Sequence, residues 1–132
     1  MFVLDPLSRT PLYEQIVKEA ERLIVTGALR PGEKLYSVRS LSVELSINPN
    51  TILKAYGELE SGGIIYSVPA KGYYIAEDAK EKLGKKFEKL IFPMKNTVMK
   101  MALAGVPEEK VIFAVKEAYA AAGNLKGGDN ND

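Results

Sequence analysis

Residues 27–75 read GALRPGEKLYSVRSLSVELSINPNTILKAYGELESGGIIYSVPAKGYYI, and the turn signals in this run decide the fold. Pro31-Gly32 marks a turn, and Glu33 to Tyr36 leaves room for only a stub of strand. Ser37 supplies an N-cap for a helix through Ser46, with Val38, Leu41 and Leu45 as its apolar stripe. Ile47 is an isolated apolar residue in the turn that follows. Asn48-Pro49 starts another helix, a side-chain cap followed by proline at the first helical position. Ile52, Ala55, Tyr56 and Leu59 give that helix one buried face, and Ser61-Gly62-Gly63 ends it. Two β-rich runs follow, Ile64 to Val68 and Tyr73 to Ala76. The link Pro69-Ala70-Lys71-Gly72 makes them a hairpin.

Upstream, Thr10-Pro11 has the form of a cap and a first helical proline. Leu12, Ile16, Ala20, Leu23 and Ile24 then recur at helical spacing until Gly27. Helix, helix, tight turn, helix, hairpin is the order of a winged helix-turn-helix. The expected domain spans residues 8–76, with the helix-turn-helix at about 38–57 and the wing at 64–76. From Asp78 the pattern is purely helical, so the fold class is α+β, mostly helical. Leu83, Phe87, Leu90, Ile91, Met94, Val98 and Met101 run along one face, and Pro93 predicts a kink within it. Gly105-Val106-Pro107 breaks the helix, and Val111, Val115, Ala118, Tyr119 and Ala122 form one face of a last one. Two helices cannot cover such long apolar faces alone, and a second copy of the chain is one remedy. Residues 77–122 are therefore expected to be a short two-helix dimerisation segment. Its interface is expected to comprise Leu83, Phe87, Leu90, Ile91, Met94, Val98, Met101, Val111, Val115 and Tyr119. Residues 123–132, GNLKGGDNND, hold one apolar residue and predict a disordered tail.

Composition excludes much else. The chain has no cysteine and no histidine, so it lacks a disulfide framework, the commonest metal ligands and the commonest general base. No nucleophile–base pair is evident, which argues against an enzyme, and no metal or cofactor is expected. No window approaches the ~20 apolar residues of a membrane span, and the N-terminus has no signal-peptide pattern, so a soluble cytoplasmic protein is expected. Net charge is only +1, and residues 1–76 hold eight basic and eight acidic residues. Bulk charge therefore does not by itself point to nucleic acid. A winged helix of this kind also suits a protein-interaction or architectural role.

Placement of the charges favours DNA. A helix read in the major groove uses its N-terminal residues, here Asn48, Asn50, Thr51 and Lys54. Asparagine pairs with adenine N6/N7, threonine offers a methyl to thymine, and lysine reaches guanine or phosphate. Asn48 serves equally as a helix cap. Between Leu45 and Gly57 the only charged residue is Lys54, so no carboxylate stands where phosphates would approach. Ser37 and Arg39 open the preceding helix, where backbone N–H groups and a cation suit a phosphate. Lys71-Gly72 at the hairpin tip suits the minor groove or the DNA backbone. Tyr56, Tyr73 and Tyr74 read as packing residues, and Met94, Met99 and Met101 as core or interface fillers.

These positions resemble the reading head of GntR-type bacterial regulators. The matching points are Gly27, Leu29, Pro31-Gly32, Leu35, Ser37, Arg39, Leu41, Leu45, Asn48, Thr51, Ala55, Leu59, Gly63 and Gly72. Asn48-Pro49-Asn50-Thr51 followed by Lys54-Ala55-Tyr56, with a C-terminal part of about 55 residues, is similar to the YtrA-type subfamily. Pro11-Leu12-Tyr13-Glu14-Gln15-Ile16 fits the same group. The resemblance covers residues 8–76 and implies a repressor-like homodimer on an inverted-repeat operator, with Arg39 against double-stranded DNA. It also implies control of transporter genes as a subfamily habit. Tyr36 replaces the family's usual proline, Val38 an acidic residue and Ala70 a glycine, and the reading helix lacks the usual arginine. These departures leave the fold intact, and the family's operator contacts do not carry over at these positions. Larger family members bind a small-molecule effector in a C-terminal domain. Two helices leave little room for an enclosed pocket of ~300 Å³ unless it forms at the dimer interface.

Overall fold

Among the described residues, six helices and one hairpin form in the order α1 Leu12–Val25, α2 Val38–Leu45, α3 Pro49–Ser61, β1 Ile65–Val68, β2 Gly72–Ile75, α4 Ala79–Glu88, α5 Ile91–Leu103 and α6 Glu108–Asp129. The structure is a computed structural model that describes residues 2–129, with side chains through 125. The chain divides into two units, Met1–Leu83 and Gly84–Asp132. The mostly helical winged-helix class expected from the sequence is what forms.

In the first unit, the 3.6-residue spacing of α1 buries Ile16, Val17, Ala20, Leu23 and Ile24 on one face. That face packs on α3, which also receives α2 and β1. Short α2 contributes one fully buried residue, Leu41, flanked by the partly buried Val38 and Leu45. α3 answers with Ile52, Ala55, Tyr56 and Leu59, as its period requires. The hairpin pairs antiparallel with Ile65 opposite Ile75 and Tyr66 opposite Tyr74, and the Ile65–Ile75 pair at its base lies in the core. Residues 32–35 run beside β2. Gly32 N–H donates to Ile75 C=O at 2.8 Å and Leu35 N–H to Tyr73 C=O at 2.8 Å. The strand stub thus amounts to a single bridge, Lys34 with Tyr74.

Three boundaries differ from the sequence reading. First, α1 begins at Leu12, one place later than expected, with Pro11 rather than Thr10 in the N-cap position, and no side chain caps it. The Thr10 carbonyl instead accepts from Gln15 Nε2 at 2.9 Å. Second, the unit starts well before residue 8. Phe2 is 3% exposed and meets the Tyr36 ring edge-on, with centroids 5.6 Å apart. Val3 N–H donates to Glu19 Oε2 at 3.1 Å, and Asp5 N–H to Gln15 Oε1 at 2.7 Å, pinning the N-terminal segment along α1. Third, the unit runs past residue 76. Ala79 and Leu83 are each 0% exposed and belong to its core. Leu83 is therefore a core residue of the reading unit, not a member of the exposed interface stripe in which its spacing placed it.

The second unit is built differently. The expected kink at Pro93 is absent, because the chain breaks earlier, between Glu88 and Ile91. Leu90 N–H turns back to Phe87 C=O at 2.9 Å, and Leu90 C=O then accepts from Met94 N–H at 3.0 Å. Pro93 becomes the third residue of α5, where its missing N–H leaves nothing unsatisfied. The segment after the wing thus holds α4, α5 and α6 rather than two helices. Gly105, at φ +87°, closes the link to α6. α6 continues to Asp129, so residues 123–129 are helical where a disordered tail was expected. Helix propagates easily from the Ala120–Ala122 run. The remainder of that tail, residues 130–132, lies outside the described residues.

Candidate nucleic-acid interface

Three clusters of the expected site residues lie in the first unit, each held by a local device. Ser37 is the N-cap of α2, and its Oγ accepts from Ser40 N–H at 3.0 Å. Arg39 follows in the first turn, exposed, with no ion pair among the described residues. α2 ends on Ser46 at φ +55°, a left-handed cap, and Ser42 Oγ donates to Ile47 C=O at 2.7 Å to close the turn. The chain then enters α3 through Asn48, whose Oδ1 accepts from Asn50 N–H at 2.8 Å. Asn48 is thus a cap, with that oxygen already engaged. Asn50 is exposed and Thr51 half-buried in the same turn.

Lys54 behaves differently from expectation. Its side chain is exposed, but Nζ lies 4.0 Å from the centroid of the Tyr13 ring on α1, a cation–π distance. Burial first, then the carboxylate of Glu14, raises the Tyr13 phenol above its ordinary pKa, so the ring stays neutral beneath the ammonium. Lys54 is directed toward α1, which leaves Asn50, Leu53 and Gly57 on the outer strip of the helix.

Behind α3, Tyr56 fixes the spacing of the motif. It is wholly buried, and its hydroxyl donates to the Tyr36 carbonyl at 2.6 Å, just before the α2 cap. Its ring also meets Tyr73 of β2 edge-on at 5.1 Å. Burial, followed by the neighbouring Tyr36 and Tyr73, pushes its ionisation far above the ordinary range, so it remains a donor. One side chain thus ties the reading helix to the start of α2 and to the wing. Tyr56 and Tyr73 are packing residues, as expected, and Tyr74 stacks on Tyr66 at 5.9 Å.

At the wing tip Lys71 is exposed, and its N–H donates to Val68 C=O at 3.0 Å. Ala70 takes φ +65° there, a conformation that favours glycine. Gly72 has φ +113°, and a Cβ on it would stand 3.2 Å from Lys34 Cε. The Lys34 side chain therefore lies across the wing. The sequence reading missed Lys34, which becomes a wing residue only through its pairing with Tyr74. It also missed Leu53, an apolar residue 45% exposed on the reading helix, whose signal was its place off the Ile52–Ala55–Tyr56–Leu59 stripe.

The expected interface residues divide. Leu83 is core, as described. Phe87, Leu90, Ile91, Met94, Val115 and Tyr119 are exposed in the second unit, while Val98, Met101 and Val111 are half-buried there. Val98 and Val111 line, with Ala102, Val106, Glu108 and Ile112, a groove of about 330 Å³.

A winged helix-turn-helix with a capped, acid-free reading-helix start is the architecture of a DNA-binding transcription regulator. Residues 12–75 match the bacterial regulatory proteins of the gntR family. The HTH-type transcriptional repressor YtrA of Bacillus subtilis (strain 168) is 41% identical over the full length of both chains. A solved GntR family transcriptional regulator from Listeria monocytogenes is 40% identical, with TM-score 0.70 over 86% of this chain and 98% of that one. A solved complex of AraR(DBD) with operator ORX1 is 33% identical, with TM-score 0.51 over 56% of this chain and 92% of that one. The chain belongs to the GntR family, in its YtrA-type group. It is a transcription regulator with an N-terminal DNA-binding domain, and not an enzyme. Among the described residues, no helix is long and apolar enough to cross a membrane.

Proposed function

We propose that the protein is a cytoplasmic repressor that acts as a homodimer on an inverted-repeat operator, one subunit to each half-site. The observation that carries this reading is the nakedness of the second unit. α5 buries none of its residues within the chain. Phe87, Leu90, Ile91, Phe92, Met94, Phe113, Val115 and Tyr119 are all between 44% and 78% exposed. A monomer rarely leaves so many large apolar side chains exposed in one short segment, and a second copy covers them.

In this reading Asn50 and Thr51 meet base edges, with Asn48 capping the helix that presents them. Ser37 and Arg39 hold a phosphate at the start of α2, and Lys71-Gly72 bring the wing to the DNA. Lys54 acts mainly as a brace between α3 and α1. A reading unit of neutral balance gains little from bulk charge, so tethering two readers supplies the missing affinity through effective concentration. The groove beside Val98 and Val111 has the dimensions a small effector would need. Light scattering on the full chain tests the proposal. A dimer that Phe87→Ala and Ile91→Ala weaken together supports it, and a monomer at micromolar concentration overturns it.

A further inference from the structure

Two features of α3 have no explanation inside the protein. Leu53 is 45% exposed on a helix that already has a complete buried face. Gly57 sits in the helix interior, where glycine is less stable than alanine. Beyond its chain neighbours and the backbone of its own helix, a Cβ at Gly57 would meet nothing within 4 Å, so packing does not require the glycine. Leu53 and Gly57 are four residues apart and therefore adjacent on the helix surface, next to Asn50. With Lys54 directed toward Tyr13, the outer strip of α3 consists of one amide, one isobutyl group and one bare patch.

A bare patch beside an exposed leucine fits a surface that another molecule approaches closely. Resting on the reading that α3 enters the major groove, that molecule is the edge of a base pair. Leucine forms no hydrogen bond, and the one apolar group that major-groove edges present is the thymine C5-methyl. We propose that Leu53 is a specificity-determining residue that packs on a thymine methyl, and that Gly57 is kept bare so that the groove edge can reach it.

The test uses the full chain and the tightest duplex that it selects from a random-sequence pool. Each thymine of that duplex is replaced in turn by deoxyuracil, which removes only the methyl. One thymine per half-site is expected whose replacement weakens the parent about 4-fold, the effect of one buried carbon, while leaving Leu53→Ala unaffected. Gly57→Ala is expected to raise the melting temperature yet weaken binding to the same duplex, a pair of opposite signs that a purely structural glycine would not produce. The proposal is overturned if parent and Leu53→Ala respond alike to every deoxyuracil, or if Gly57→Ala binds as the parent does. Asn50→Ala and Thr51→Ala separate the two levels of the argument. If they reduce sequence discrimination while the Leu53 and Gly57 variants do not, this inference fails and the reading role of α3 stands. If all four leave discrimination intact, the reading role itself is wrong.

Discussion

Replacing Leu83 by alanine separates the core role seen in the structure from the interface role that its spacing suggests. The side chain is 0% exposed within the first unit, so all three deleted carbons leave a buried environment. At ~0.8 kcal/mol per carbon the transfer loss is ~2.4 kcal/mol, and the residual cavity brings the total to ~3–4 kcal/mol. For a domain of this size, each kcal/mol lowers the melting temperature by ~4–8 °C, so a fall of at least ~12 °C is expected. Phe87→Ala is the matched control, because Phe87 is 44% exposed in the chain. It should leave the melting of the reading unit nearly unchanged and weaken self-association instead. Truncations sharpen the contrast. A chain ending at residue 76 lacks Ala79 and Leu83 and should melt broadly or not fold, whereas one ending after Glu88 keeps both and should fold as a monomer. Circular dichroism melts combined with light scattering read all four proteins. Parent-like melting of Leu83→Ala together with dissociation would refute the core assignment.

Three further outcomes follow from other parts of the structure. Asn50→Ala or Thr51→Ala should reduce discrimination between the selected and random duplexes by ~1–3 kcal/mol, while a parallel loss on both would make them positioning residues only. Gly72→Ala should destabilise the first unit by ~1–2 kcal/mol, because φ +113° excludes a Cβ that would also crowd Lys34, and an unchanged melting temperature would contradict that backbone geometry. Glu19 is pulled upward by burial, but hydrogen bonds from Arg22 and the Val3 N–H outweigh this and leave its pKa below the ordinary value. Its contribution is therefore present above the unfolded-state pKa near ~4.3 and disappears as pH falls through the lower folded value. Glu19→Gln should flatten the acid limb of stability between pH ~5 and ~3, and identical acid limbs would remove Glu19 from the account.

The sequence by itself determined the reading head. Ser37 and Asn48 announce helix starts because a capping oxygen satisfies a helix end locally, and Pro49 adds a backbone already set for the first helical position. Both caps form, with Ser40 and Asn50 as the donors. The same local logic places the hairpin, since alternation and a Pro-Ala-Lys-Gly link are read within a few residues. Tertiary structure decided what depends on contacts distant in sequence. Leu83 and Phe87 carry the same helical spacing, yet only Leu83 meets the core, because periodicity fixes a face but not what covers it. Phe2 becomes a core residue through Tyr36, 34 positions away, and Lys34 becomes a wing residue through Tyr74. Lys54 has the residue type and position of a base reader, and it was a ring on α1 that drew its ammonium aside. A cap is a bargain between neighbours in sequence, whereas burial and side-chain direction are settled only when separate elements pack.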